Sequence, residues 1–247
     1  MRLTERVYLV GSGKSGTDIS NPYDSHVYLI DGASSLALID AGAGIQPELI
    51  IENIRHEGFD PANVSNIVVT HAHADHGGGA STLQTATGAE ILAPGPAATW
   101  LVDANEAAIS LPEARASGTY PNDYHLTPCS TALPIADDDK VQIGDVRLQA
   151  IATPGHAAAH VSFLLHGDDR IGLFGGDIVF HGGKILLLAT PDCSIQELMK
   201  SMQRLKGVMF DALFPGHGVI SLNRGRDHVA QAHRMLRTQQ IPPNYNT

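Results

Sequence analysis

The chain has 247 residues, 43% of them hydrophobic and 17% charged, and its 16 Lys and Arg against 26 Asp and Glu leave a formal charge of −10. That length supports one domain over 1–247 with a sizeable core, and the acidic balance disfavours nucleic-acid or anionic-membrane partners. Two cysteines make no disulfide framework, no secretory signal or apolar run near the ~20 residues of a membrane span is visible, and a reducing, cytoplasmic location is expected.

Short β-rich runs recur at 6–10, 26–30, 36–40, 66–70 and 90–94, then at 146–152, 160–166, 170–176, 184–189 and 212–216. Several are continuously apolar, as strands covered on both faces should be. Between them lie helical patterns. Residues 47–58 put Leu49, Ile50 and Ile54 on one stripe and end at Gly58, a C-cap candidate. Residues 194–207 open with Ser194 and Glu197 at capping-box spacing and align Leu198, Met202 and Leu205. A third helix, 226–240, carries Val229, Ala232 and Leu236. The sum is a layered α/β sandwich.

Two segments follow no period. Residues 11–25 form a polar loop in which Gly11–Gly16 brushes against a phosphate-binding pattern, but Tyr8 stands where that pattern needs its first glycine. Residues 104–139 contain Pro112, Pro121, Pro128 and Pro134 and are expected to be irregular, a lid or binding loop. Trp100, Leu101, Leu111, Tyr120 and Tyr124 would give it a substrate-facing surface or a satellite core.

The 13 histidines concentrate the chemistry. The run at 66–70 leads into His71-Ala-His73-Ala-Asp75-His76 and three glycines. Extended backbone points His71 and His73 to one side, and the turn adds a carboxylate and a third imidazole. This dense N/O donor set suits Zn²⁺ or another divalent transition ion. His156, Asp177 and His217 each follow an apolar run beside glycine, so loops at one sheet end would present them together. His160 is expected to support the site and not to ligate, and His181 is a candidate substrate contact. His26, His56, His125, His166, His228 and His233 read as surface residues, and Cys129 and Cys193 as inert.

The pattern of His71, His73, Asp75 and His76, then His156, Asp177 and His217, resembles the metallo-β-lactamase-fold hydrolases, closest to the glyoxalase II-like branch. The resemblance runs from Leu-Ile-Asp-Ala-Gly at 38–42 to Pro-Gly-His-Gly at 215–218. It implies a four-layer αββα sandwich, two mixed sheets flanked by helices, with metals at one sheet edge. It further implies that His71, His73 and His156 hold one divalent ion, that Asp75, His76 and His217 hold a second, and that Asp177 bridges them. Zinc is the first expectation, with iron or manganese as alternatives. Asp40 matches either the family's ligand-orienting carboxylate or a plain turn residue.

The implied reaction is hydrolysis of a small acyl substrate (thioester, lactone or ester) by a metal-bound hydroxide that Asp75 orients. Asp177 stands where true β-lactamases usually have Cys or Ser, and His73 where flavodiiron relatives have Glu. Only 30 residues follow His217, where glyoxalase II carries a helical domain, so glutathione thioesters are not the expected substrate. Other readings are a mononuclear iron persulfide dioxygenase using His71, His156 and Asp177, β-lactam hydrolysis as a side reaction, and a non-catalytic metal-binding module.

Overall fold

Val-, Leu- and Ile-rich runs without polar alternation become strands buried on both faces, and they form two sheets. The computed structural model describes residues 1–245. One sheet contains β1 (Val7–Gly11), β2 (Val27–Asp31), β3 (Leu36–Ile39), β4 (Val64–Val68), β5 (Glu90–Pro94) and β6 (Leu133–Ile135), in that spatial order. Its first three strands pair antiparallel and the rest parallel. The other sheet runs in the reverse of chain order, from β11 to β7: β7 (Lys140–Ile143), β8 (Val146–Ala152), β9 (Val161–His166), β10 (Gly172–Gly176) and β11 (Ala212–Pro215). Only β10 and β11 pair parallel there, so both sheets are mixed.

The helices are α1 (Pro47–His56), α2 (Ala74–Gly77), α3 (Ala80–Thr87), α4 (Gly95–Val102), α5 (Leu111–Ala116), α6 (Ile195–Lys206) and α7 (Gly225–Arg237). Three apolar clusters show how the layers stack. Leu29, Leu38, Ile67 and Ile91 pack outward against Ile50, Ile54, Leu83 and Leu101 of α1, α3 and α4. The opposite faces of the same strands, through Tyr28, Ile30, Ile39 and Val68, meet Leu148, Phe163, Phe174 and Phe214 between the sheets. Leu164, Leu173 and Leu213 then bury Leu198, Met202, Val229 and Leu236 of α6 and α7. The two-residue alternation of strand side chains thus sorts each strand between two cores, giving the expected αββα order. Truncating a central side chain such as Phe163 to Ala would cost about 3–5 kcal/mol.

Several expectations are corrected. Ile51 replaces Leu49 on the buried face of α1, and β6 and β7 lie where no strand was expected. Residues 184–189 form no strand; Ile185 makes only an isolated bridge to Asn244. The segment 104–139 is mostly irregular, as expected, but carries a 3₁₀ turn (Glu106–Ile109), α5 and β6. Ser194 caps α6 as its spacing predicted, its hydroxyl accepting from the Glu197 amide. Among the described residues no helix is long and apolar enough to cross a membrane.

Candidate metal centre

The connections after β3, β4, β8, β10 and β11 carry Asp40, His71, His156, Asp177 and His217 to one edge of the sandwich, where β4 also delivers His73, Asp75 and His76 at the start of α2. The structure brings all seven expected ligands together. One donor atom each from His71, His73 and His156 lies within 4.8 Å of the others, as do those of His71, His76 and Asp177, and of Asp75, His76 and His217.

Far-side hydrogen bonds set which ring nitrogen faces inward. His71 Nδ1 donates to Thr70 Oγ1 at 3.0 Å, and His156 Nδ1 donates to the Leu186 carbonyl at 3.0 Å. His76 Nδ1 donates to Asp40 at 2.8 Å. His73 is turned the other way: its Nε2 donates to Asp192 at 2.7 Å, which leaves Nδ1 facing His156 Nε2 at 3.0 Å. In the neutral form of each ring, the far-side bond leaves the inward nitrogen with its lone pair, the form a metal ligand needs.

Asp40 does what a ligand-orienting carboxylate should. It sits in the left-handed region (φ +62°), which Asp tolerates better than most residues. From there it accepts from the Thr70 amide at 2.7 Å and from the Thr70 hydroxyl at 3.0 Å, besides His76. Asp177 lies between the two triads. Its Oδ1 is 3.4 Å from His76 Nε2, and its Oδ2 is 3.6 Å from His156 Nε2 and 3.4 Å from His217 Nε2. Asp75 Oδ2 is 3.0 Å from His217 Nε2.

Three buried polar atoms, His71 Nε2, His76 Nε2 and Asp177 Oδ1, have no hydrogen-bond partner. Buried polar groups are nearly always paired, so these atoms converge on a place for a ligand. The electrostatics agree. Burial pushes His76 down, but the Asp177, Asp40 and Asp75 carboxylates outweigh it and hold the ring well above its ordinary value. Burial opposes His217 too, yet Asp177 and Asp75 lift it to about 9. Burial drives His71 well below the ordinary value and His156 down to about 4. The pocket around the carboxylates therefore calls for positive charge, and an N/O donor set of this kind fits a divalent transition ion.

Both ring nitrogens of His160 are engaged: Nε2 accepts from the Asp177 amide at 3.3 Å and Nδ1 donates to Thr153 Oγ1 at 2.9 Å. His181 does not border the cleft; it bonds Ser221, and its ring lies tilted against His228 with centroids 4.5 Å apart. His26 is no surface residue. It is 1% exposed, with one ring nitrogen on Ser12 Oγ and the other donating to the Gly218 carbonyl, both at 3.0 Å, so it braces the loop that carries His217. His233 is also buried, against Gln203. His56 and His125 are exposed, and His166 and His228 half-buried.

The sequence reading missed Asp192. Its second oxygen accepts from Ser110 Oγ at 2.6 Å, tying His73 to the start of α5. Above the cluster of donor side chains opens a cleft of about 380 Å³, bordered by Ser15, Tyr245, Tyr120 and the apolar side chains of Ile109, Leu111 and Leu186. Part of the 104–139 segment thus forms a wall of the site, while Tyr120 and Tyr124 also belong to the core under it.

The metallo-beta-lactamase superfamily model matches residues 20–217. The chain belongs to that superfamily. It is 29% identical to the human acyl-coenzyme A thioesterase MBLAC2 over 212 residues, covering 78% of this chain and 72% of that protein. It is 26% identical to the hydroxyacylglutathione hydrolase of Chromohalobacter salexigens over 197 residues, 78% of this chain and 62% of that one, so it spans less than two thirds of that relative. Among solved structures, a metallo-beta-lactamase from Cronobacter sakazakii superposes with a TM-score of 0.73 at 20% identity, over 97% of this chain and 96% of the other, a likeness of fold.

Proposed function

We propose that this member of the superfamily is a metal-dependent hydrolase of acyl thioesters. The observation that carries the reading is the convergence of the two donor triads on Asp177, whose carboxylate oxygens lie 3.4–3.6 Å from His76, His217 and His156, at the floor of a cleft with apolar walls. His71, His73 and His156 would hold one divalent ion and Asp75, His76 and His217 a second, with Asp177 between them. Zinc suits this set of imidazoles and carboxylates. The similarity to an acyl-coenzyme A thioesterase and to a hydroxyacylglutathione hydrolase supports the same reading.

Divalent ions bound there would polarise the substrate carbonyl and lower the pKa of water to about 7. The chain's own residues supply orientation. Asp75 borders the cleft and is kept ionised, because His76 and His217 outweigh the effect of burial. It is therefore an acceptor that aims the attacking water at the carbonyl carbon. Water adds across the carbon–sulfur bond, which breaks to leave a carboxylic acid and a thiol.

The test is metal analysis of the purified protein, followed by acyl thioesters, lactones, a β-lactam and a persulfide. Thioester cleavage that a chelator abolishes and zinc restores is the expected result. Oxygen consumption with a persulfide and no thioester cleavage would overturn it.

A further inference from the structure

The walls of the cleft differ sharply from its floor. Ile109, Leu111 and Ala114 come from the segment before β6, and Leu186 and Leu188 from the stretch between β10 and α6. Among the described residues that border the cleft there is no Lys or Arg, and the one charged wall residue apart from the metal cluster is acidic, Glu113. The wall is anchored: Leu111 is 1% and Ile109 4% exposed, and Ser110 between them is bonded to Asp192. The whole chain carries a formal charge of −10.

We infer that this cleft is an acyl subsite for uncharged, apolar chains and that it rejects acyl groups ending in a carboxylate; the inference rests on the thioester reading. A carboxylate entering the cleft loses hydration and meets no cation on the wall to replace it. It also faces Glu113 and a negative surface field. A methyl-ended chain gains from the same wall, roughly fourfold in affinity for each methylene taken out of water. The volume of about 380 Å³ lies at the small end of ligand pockets, which run to roughly 1,000 Å³, so short acyl chains fit it best.

The experiment uses zinc-loaded protein and two non-cleavable ketone analogues of an N-acetylcysteamine thioester, with a methylene inserted between carbonyl and sulfur. They have equal chain length, one ending in methyl and the other in carboxylate. Calorimetry reads their binding, and the matching thioesters are assayed in parallel. The methyl-ended analogue should bind at least tenfold tighter. Glu113→Lys, at an exposed position, should narrow that gap, and Leu111→Asp should weaken the methyl-ended analogue at least tenfold with metal content unchanged. Equal or tighter binding of the carboxylate-ended analogue, or no binding of either, overturns the inference. A methyl preference in binding with no cleavage of the thioester supports the subsite and instead defeats the hydrolase reading.

Discussion

Asp192 Oδ2 accepts from His73 Nε2 at 2.7 Å, across 119 positions of sequence, and so fixes which face of that imidazole looks into the metal centre. Ser110 occupies the other carboxylate oxygen at 2.6 Å. Carboxylates that hold a ligand's far nitrogen orient the ring and raise its basicity, and losing one typically costs 10–100-fold in metal affinity. Asp192→Ala should therefore weaken one ion by about that factor, read by competition with a chromophoric chelator. An unchanged affinity would show that His73 is held by other contacts.

The candidate metal ligands were legible because each lies in a connection that follows a strand, Asp177 and His217 one and two positions past its end and the others three to eight, and because four of them are close neighbours in sequence. Asp192 was not, since the Thr190-Pro191-Asp192-Cys193 turn has no period and its partner is remote in sequence. His26 misled for a related reason: it precedes a strand in a polar stretch, and its burial depends on two hydrogen bonds to distant loops. The apolar run at 184–189 reads like a strand, yet Leu186 and Leu188 face the cleft and not a neighbouring strand. In 104–139 the elements are too short for a period to emerge, since β6 has three residues and α5 has six.

Asp40 combines backbone strain with three accepted hydrogen bonds, and two substitutions separate these effects. Asp40→Ala puts a poor residue in the left-handed region and strands the buried Thr70 amide and His76 Nδ1, so metal-free stability should fall by roughly 2–4 kcal/mol. Asp40→Asn tolerates the same backbone and keeps a carbonyl acceptor, and it should lose less stability. Both should loosen the ion held by His76. Urea unfolding with chelator competition measures the pair, and wild-type values for both variants would remove Asp40 from the site.

His26 gives a pH dependence with a definite sign. Burial is the main cause that lowers its pKa from 6.5 to about 4, the Gly218 carbonyl only partly opposing it. Above about 6.5 the ring is neutral folded or unfolded, and its contribution is fully present. Between 6.5 and 4 the unfolded chain binds the proton more readily, so stability falls with falling pH and levels off below 4. The bound is about 3 kcal/mol. Since His71 and His156 are shifted the same way, the test compares metal-free wild type with His26→Gln by urea unfolding at several pH values. Parallel stability curves for the two proteins would refute the assignment.

Asp177 and His217 should differ in how many ions each loses. Asp177 presents Oδ1 toward His76 and Oδ2 toward His156 and His217, so its carboxylate is shared by both triads. Besides its 3.4 Å approach to Asp177, His217 belongs, among the described residues, to the donor group of Asp75 and His76 and not to that of His71, His73 and His156. Asp177→Ala should therefore lower occupancy at both positions, whereas His217→Ala should empty one and spare the ion held by His71, His73 and His156. Removing one Lewis acid takes several kcal/mol from the transition state, so His217→Ala should lower kcat/KM by roughly a thousandfold. Metal content per chain by plasma emission, read beside thioester turnover, decides the matter. Two ions retained in Asp177→Ala would end the bridging role, and both ions lost in His217→Ala would mean that the two positions fill as one unit.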